Sequence, residues 1–161
     1  MKDHQGGCLC GALRFATRGA PEWVTICHCH FCQRTTGAAY AVLPIFARSA
    51  LSVSGTRPVV HTATSQGSGK QIHIRFCKEC GTKISVGFER APDFVGIYAG
   101  AFDAPNWFEI SARTTRHIFV ASARRGTVIP AGIPTYREHV RDADGAPVPP
   151  HVFDLPHTIE A

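Results

Sequence analysis

No window of this 161-residue chain approaches the roughly 18 consecutive apolar residues that a membrane-spanning helix needs. The residues before the first cysteine pair hold no apolar stretch of signal-peptide length, so the expected compartment is the cytoplasm. Charge is sparse. Charged residues make up 18% against 44% hydrophobic, a balance too apolar and too weakly charged for a disordered chain. Basic runs are missing as well: the net charge of +5 comes from scattered residues such as Arg14, Arg34, Arg75, Arg113 and Arg125. That scatter suits a small acidic ligand at least as well as a phosphate backbone, and leaves nucleic acid the weaker reading. Helical periodicity is scarce, no repeat exists beyond a doubled Cys-x-Cys, and no domain boundary is evident. The chain reads as one domain, long enough to bury a core without disulfides.

What is present is a succession of short β-favouring segments, separated by glycine, proline or polar residues: 11–17, 22–27, 38–43, 51–54, 59–64, 71–76, 82–86, 94–98 and 117–120. Only 30–36 and 44–48 favour a helical turn, and both are too short to build a helical layer. The expected fold is therefore mainly β. Gln71-Ile72-His73-Ile74-Arg75-Phe76 alternates polar and apolar residues, which turns one face inward. The preceding Ser65-Gln66-Gly67-Ser68-Gly69-Lys70 reads as a hairpin turn. It is a poor phosphate loop, because Thr64 and Gln71 stand where that motif needs glycine and Ser or Thr. From Arg141 onward, Pro147, Pro149, Pro150 and Pro156 predict an extended tail without regular structure.

Seven cysteines do not pair off evenly, and a reducing compartment disfavours disulfides, so metal binding is the better reading. Cys8-Leu9-Cys10 sits at a strand entrance, where side chains two apart share a face and both thiolates can aim at one point. Cys77-Lys78-Glu79-Cys80-Gly81 has zinc-knuckle spacing, with Gly81 freeing the backbone for a tight turn. Joined, the two pairs make a closed four-thiolate site that contributes directly to folding. Cys27-His28-Cys29-His30-Phe31-Cys32 packs three thiols into six residues, and no eighth cysteine exists to complete a second tetrahedron. A histidine, a water or a substrate must fill that position, and an open position is what separates catalytic from structural zinc. His28 and His30 are near but strained between the thiols, and His61 and His73 are the distant alternatives. A shuffled arrangement, with Cys29 and Cys32 joining Cys77 and Cys80, leaves Cys8, Cys10 and Cys27 without a role.

In these motifs the chain resembles the family of glutathione-dependent formaldehyde-activating enzymes and centromere protein V. The likeness runs through Gly7-Cys8-Leu9-Cys10-Gly11-Ala12, the Cys27 to Cys32 segment with Thr36-Gly37, and Phe76-Cys77-Lys78-Glu79-Cys80-Gly81-Thr82. It continues through Ala99-Gly100-Ala101-Phe102-Asp103, His117-Ile118 and Ile133-Pro134-Thr135-Tyr136. The resemblance implies a single-domain β-tent of short antiparallel sheets and hairpins organised by zinc over residues 5–138, with 139–161 as a proline-rich tail. It implies two zinc ions per chain, a structural one on Cys8, Cys10, Cys77 and Cys80 and a catalytic one on Cys27, Cys29 and Cys32. It also implies a carbon–sulfur lyase or synthase acting on adducts of glutathione or a similar thiol, the named reaction being S-(hydroxymethyl)glutathione formation from formaldehyde. A non-catalytic zinc scaffold for a protein or nucleic-acid partner is the competing reading.

Three thiolates on a zinc dication leave a net charge of about −1, which blunts Lewis acidity and favours capture of a soft thiolate. Arg34, two residues past the triad, is the candidate partner for glutathione's carboxylates, and Phe31 and Trp23 flank the same segment. One departure from the family pattern stands out. Many relatives carry a proline-tryptophan pair after the segment matching His117-Ile118-Phe119, where this chain has Arg124-Arg125-Gly126-Thr127. If that segment lines the pocket, an aromatic wall has become a cationic one.

Overall fold

Period-two alternation builds most of the chain. A computed structural model describes residues 2–65 and 68–160. In chain order it contains β1 (Asp3–Gly7), β2 (Leu13–Arg18), β3 (Trp23–Cys27), α1 (His30–Thr36), β4 (Ala41–Ala47), β5 (Leu51–Gly55) and β6 (Val59–Thr64). There follow β7 (Gln71–Phe76), β8 (Lys83–Phe88), β9 (Ala91–Ile97), β10 (Thr115–Ile118), β11 (Val128–Ile129) and β12 (His157–Thr158). The fold is mainly β, as the segments predict, and α1, β6 and β7 fall on their expected boundaries. Among the described residues no helix is long and apolar enough to cross a membrane.

The described residues divide into two compact units, one formed by residues up to 23 with 43–108, the other by 24–42 with those from 109 onward. In the first unit β1, β2 and β5 make an antiparallel sheet, in which Gly6 faces Phe15 and Phe15 faces Val53. Leu13, Phe15 and Thr17 on β2 point inward while their neighbours do not, the pattern expected of a half-buried strand. A second antiparallel run has the order β4-β9-β8-β7-β6. Its β6–β7 hairpin pairs Val59 with Phe76 and Thr64 with Gln71, and the Ser65 N–H donates to the Lys70 carbonyl at 2.9 Å. Gln66 and Gly67 of that turn lie outside the described residues.

The core of this unit gathers Leu13, Phe15, Phe46, Ile84, Val95, Ile97 and Phe102. Each such side chain contributes about 1.5–3 kcal/mol on burial. Cys8 and Cys77 are members of the same cluster, so thiol positions are fixed by core packing rather than by loops. Gly6 admits no larger residue: a Cβ there would lie 2.3 Å from both the Ala101 carbonyl oxygen and Phe15 Cζ.

In the second unit β3 and β10 run parallel, with Cys27 beside Ile118. β11 and β12 pair antiparallel, Val128 with Thr158.

Two expectations change. Residues 44–48 form no helical turn; they lie in β4 up to Ala47, and a 3-10 turn, Arg48–Ala50, follows. Pro44 is fully buried, and the register with β9 begins only at Ile45, past the one residue with no N–H to donate. The segment after Arg141 is also not a free tail. Thr135 and His151 exchange two backbone hydrogen bonds of 2.8 Å, Gly132 N–H donates to Phe153 at 2.8 Å, and β12 pairs with β11. Pro149, Pro150 and Pro156 fall between the paired residues, where a missing donor costs nothing.

Candidate metal centres

Two equivalent turns build the first thiol group. After β1 the chain folds back so that Cys8 N–H donates to the Leu13 carbonyl and Gly11 N–H to the Cys8 carbonyl, both at 3.0 Å. After β7 the same pattern recurs, Cys77 N–H to Thr82 and Gly81 N–H to Cys77, both at 2.9 Å. Gly11 (φ 76°) and Gly81 (φ 72°) take the left-handed conformation that closes each turn, a region costly for residues with a Cβ. The Sγ atoms of Cys8, Cys10, Cys77 and Cys80 lie within 4.8 Å of one another, with Cys8–Cys10 at 3.5 Å and Cys10–Cys77 at 3.8 Å. Four sulfurs around a tetrahedral zinc at about 2.3 Å stand about 3.8 Å apart, so this donor set fits such an ion.

The surroundings favour a thiolate at Cys80 and at Cys8. The Thr82 hydroxyl, 3.1 Å away, leads in bringing the Cys80 thiol down to about 6. Burial works against ionising Cys8, but the Leu13 N–H at 3.2 Å and the neighbouring thiols outweigh it and lower its pKa. Ala12 N–H favours a Cys10 thiolate, yet Cys8 and Cys80 together push Cys10 up to about 12. Leu9, 91% exposed, and exposed Lys78 and Glu79 cover the outer side.

The second group lies where a strand hands over to a helix. Cys27 ends β3, Cys29 caps α1, and Cys32 lies in its first turn, with Cys29 Sγ accepting from Cys32 N–H at 3.4 Å. Cys27 and Cys29 sulfurs are 3.4 Å apart, and all three lie within 4.8 Å of one another. The thiols of Cys27 and then Cys32 donate towards Cys29 and bring it down to about 3, while the hydrogen bond to Cys29 leads in pushing Cys27 up to about 12. Cys32 is raised as well, chiefly by Cys27 and then by Cys29. Cys29 is half-buried, whereas Cys27 and Cys32 are buried.

Among the described residues no His, Asp or Glu joins this triad. His30 and His61 are exposed, and His73 Nδ1 is 2.9 Å from the Thr62 hydroxyl on the adjacent strand. His28, fully buried, has its Nε2 2.9 Å from Nδ1 of buried His117 on β10. The rings stack with centroids 5.2 Å apart, and His28 Nδ1 and His117 Nε2 have no protein partner. Burial lowers both imidazoles from about 6.5 to about 4, and His28 adds to the effect on His117. The fold thus holds them neutral where an unfolded chain would take up protons, so their stabilisation is whole above about pH 6.5 and is lost as pH falls towards 4. The unfolding midpoint, followed by thermal melts across this window at fixed zinc, should drop towards acid, and His117→Asn should flatten that drop.

Gln33, next to Cys32, ties the triad to its surroundings. Its Nε2 donates to the His28 carbonyl at 2.6 Å and to the Ser122 carbonyl at 2.8 Å. Tyr40 leans on His28 with ring centroids 5.2 Å apart. Arg34 is exposed in the last turn of α1, and Phe31 is half-buried. Trp23 packs against Phe94 at 4.9 Å in the first unit, a core role. Sequence reasoning missed His117, Gln33 and Tyr40 as neighbours of the triad. Thr82 was visible inside the second hairpin motif, but nothing local marks a histidine pair 89 residues apart.

The family model described as glutathione-dependent formaldehyde-activating enzyme matches residues 3–122. A Halomonas elongata protein, provisionally named a glutathione-dependent formaldehyde-activating enzyme, is 27% identical over 71% of this chain and 85% of its own length. A crystal structure of a Rhodobacter sphaeroides protein superposes with a TM-score of 0.51 at 20% identity, over 64% of this chain and 91% of that one, a likeness of fold alone. Because the matched segment holds both thiol groups and most of the chain, the protein belongs to the glutathione-dependent formaldehyde-activating enzyme family.

Proposed function

We propose that the protein is a zinc-dependent carbon–sulfur lyase or synthase acting on adducts of glutathione or a similar small thiol. Formation of S-(hydroxymethyl)glutathione from formaldehyde is the reaction to test first. The observation that carries this reading is the contrast between the two thiol groups: one has four donors, the other three and no further ligand among the described residues. The four-thiol group, built into a core cluster, suits a structural zinc. Zinc held by Cys27, Cys29 and Cys32 would supply a soft acceptor that keeps an incoming thiol deprotonated near neutral pH.

The chain's own residues prepare the site in three ways. Cys29, as the helix cap, holds its sulfur on the accessible side of the triad. Gln33, on α1, ties the His28 carbonyl beside the triad to the Ser122 carbonyl. The neutral His28–His117 pair places no competing cation against the triad. In the synthetic direction the substrate sulfur attacks the formaldehyde carbon, a C–S bond forms, and the proton given up by the thiol ends on the former carbonyl oxygen. The lyase direction reverses each transfer.

Metal analysis should find one ion in each thiol group, and NMR exchange spectroscopy of glutathione with formaldehyde should show exchange rising with protein concentration. A single zinc confined to Cys8, Cys10, Cys77 and Cys80 would overturn the reading, and exchange no faster than in buffer would reject the formaldehyde reaction within it.

A further inference from the structure

An open cleft of about 420 Å³, within the roughly 300–1,000 Å³ usual for small-molecule sites, is lined by Ala39, Tyr40, Arg124, Arg125 and Thr127 among others. We infer that Arg124, with Arg125 beside it, binds a carboxylate of the thiol substrate and makes this chain selective for acidic thiols. The inference rests on the thiol-substrate reading above, and three observations carry it.

Position is the first. Tyr40, one wall of the cleft, lies against His28, the residue between Cys27 and Cys29. Gln33 holds the Ser122 carbonyl and the His28 carbonyl with one nitrogen, so the segment entering the cleft is fastened to the triad's own helix. Arg124 follows Ser122 by two residues, at most about 7 Å of backbone from the carbonyl that Gln33 holds.

Charge is the second. Among the described residues Arg14, Lys70 and Lys78 have acidic partners, but Arg124 and Arg125 form no salt bridge. Arginine's planar fork matches a carboxylate with two parallel hydrogen bonds. Arg125 also lines a neighbouring hollow together with Glu160, whereas of these two hollows Arg124 lines only the cleft.

Backbone strain is the third. Phe119 (φ 59°) is the one non-glycine residue of positive φ among the described residues, and it opens the 3-10 turn Val120–Ser122 that delivers the arginines. A left-handed phenylalanine is strained and persists only where its surroundings over-determine it. Here Phe119 N–H donates to Glu138 at 2.9 Å and Ala121 N–H to Arg137 at 3.0 Å. The cationic segment itself lies past residue 122, where the family match ends.

The test is isothermal titration calorimetry of zinc-loaded protein with glutathione and with glutathione diethyl ester, whose carboxylates are masked. The acid should bind about tenfold more tightly than the ester, the scale of one charged hydrogen-bonded contact. Arg124→Gln should bring that ratio near unity and Arg125→Gln should lower it less, with circular dichroism and zinc content confirming the fold. Equal binding of acid and ester by the unaltered protein, a ratio that survives both substitutions, or a ratio abolished only by Arg34→Gln would overturn the inference while leaving the thiol-substrate reading intact. Absence of binding by either form would overturn both.

Discussion

Cys77→Ser is expected to abolish cooperative folding of the first unit. Cys77 is 0% exposed and belongs to the core cluster with Leu13, Ile84 and Ile97, so its side chain is at once a metal donor and a packing element. A structural zinc in small domains has an apparent binding energy of about 10–16 kcal/mol, as large as the roughly 5–15 kcal/mol that holds a whole domain folded. Serine offers a harder, shorter donor and places a hydroxyl in an apolar site, a further cost of about 1–3 kcal/mol. Circular dichroism should show the strand signal reduced and the thermal transition broadened or lost, with zinc content down, and a strong chelator should reproduce this in the unaltered protein. Leu9→Ser provides the control: the side chain is 91% exposed in the same loop, so its effect should stay within about 0.5 kcal/mol. An intact cooperative melt in Cys77→Ser would show that the four-thiol group does not anchor the fold.

That prediction was legible before any coordinates, and the reason is local. Two apart at Cys8 and Cys10 and three apart at Cys77 and Cys80, each pair sits in one glycine-closed turn, the first a turn where a strand entrance was expected, and the structure brings all four sulfurs within 4.8 Å. The helix His30–Thr36 and the strands Gln71–Phe76 and Val59–Thr64 were legible for the same kind of reason: punctuation or alternation is written in adjacent residues. β1 was not legible, because Asp3-His4-Gln5-Gly6-Gly7 has no β-branched residue, and its strand conformation comes from pairing with β2. Pro44 misled for the opposite reason, since a proline can sit in a buried strand when its neighbours carry the pairing. The proline-rich C-terminal segment looked unstructured because its partners, Val128 and Thr135, are contributed by residues far back in the chain. The same limit hid the setting of the triad. Its three thiols lie close together in sequence, but His117 and Ser122 reach its neighbours His28 and Gln33 from nearly 90 residues away.

Cys29→Ser is expected to separate what Cys77→Ser combines. Cys29 is half-buried and caps α1, and serine is among the preferred helix caps, so its hydroxyl can accept the Cys32 N–H that the sulfur accepts now. The helix should therefore survive, with a change in unfolding free energy within about 1 kcal/mol. Metal binding should not survive. Removing a partner that only orients a ligand already costs 10–100-fold in affinity or activity, by the general rule, and removing one of three ligands outright should cost about 100-fold or more. The substitution also deletes the thiol that Cys27 and Cys32 both approach and lower. Zinc analysis should then find the four-thiol group loaded and the triad bare, and glutathione–formaldehyde exchange should fall to the rate in buffer. Unfolding as severe as that of Cys77→Ser would instead make the triad a second structural anchor, and with it the proposed chemistry would lose its site.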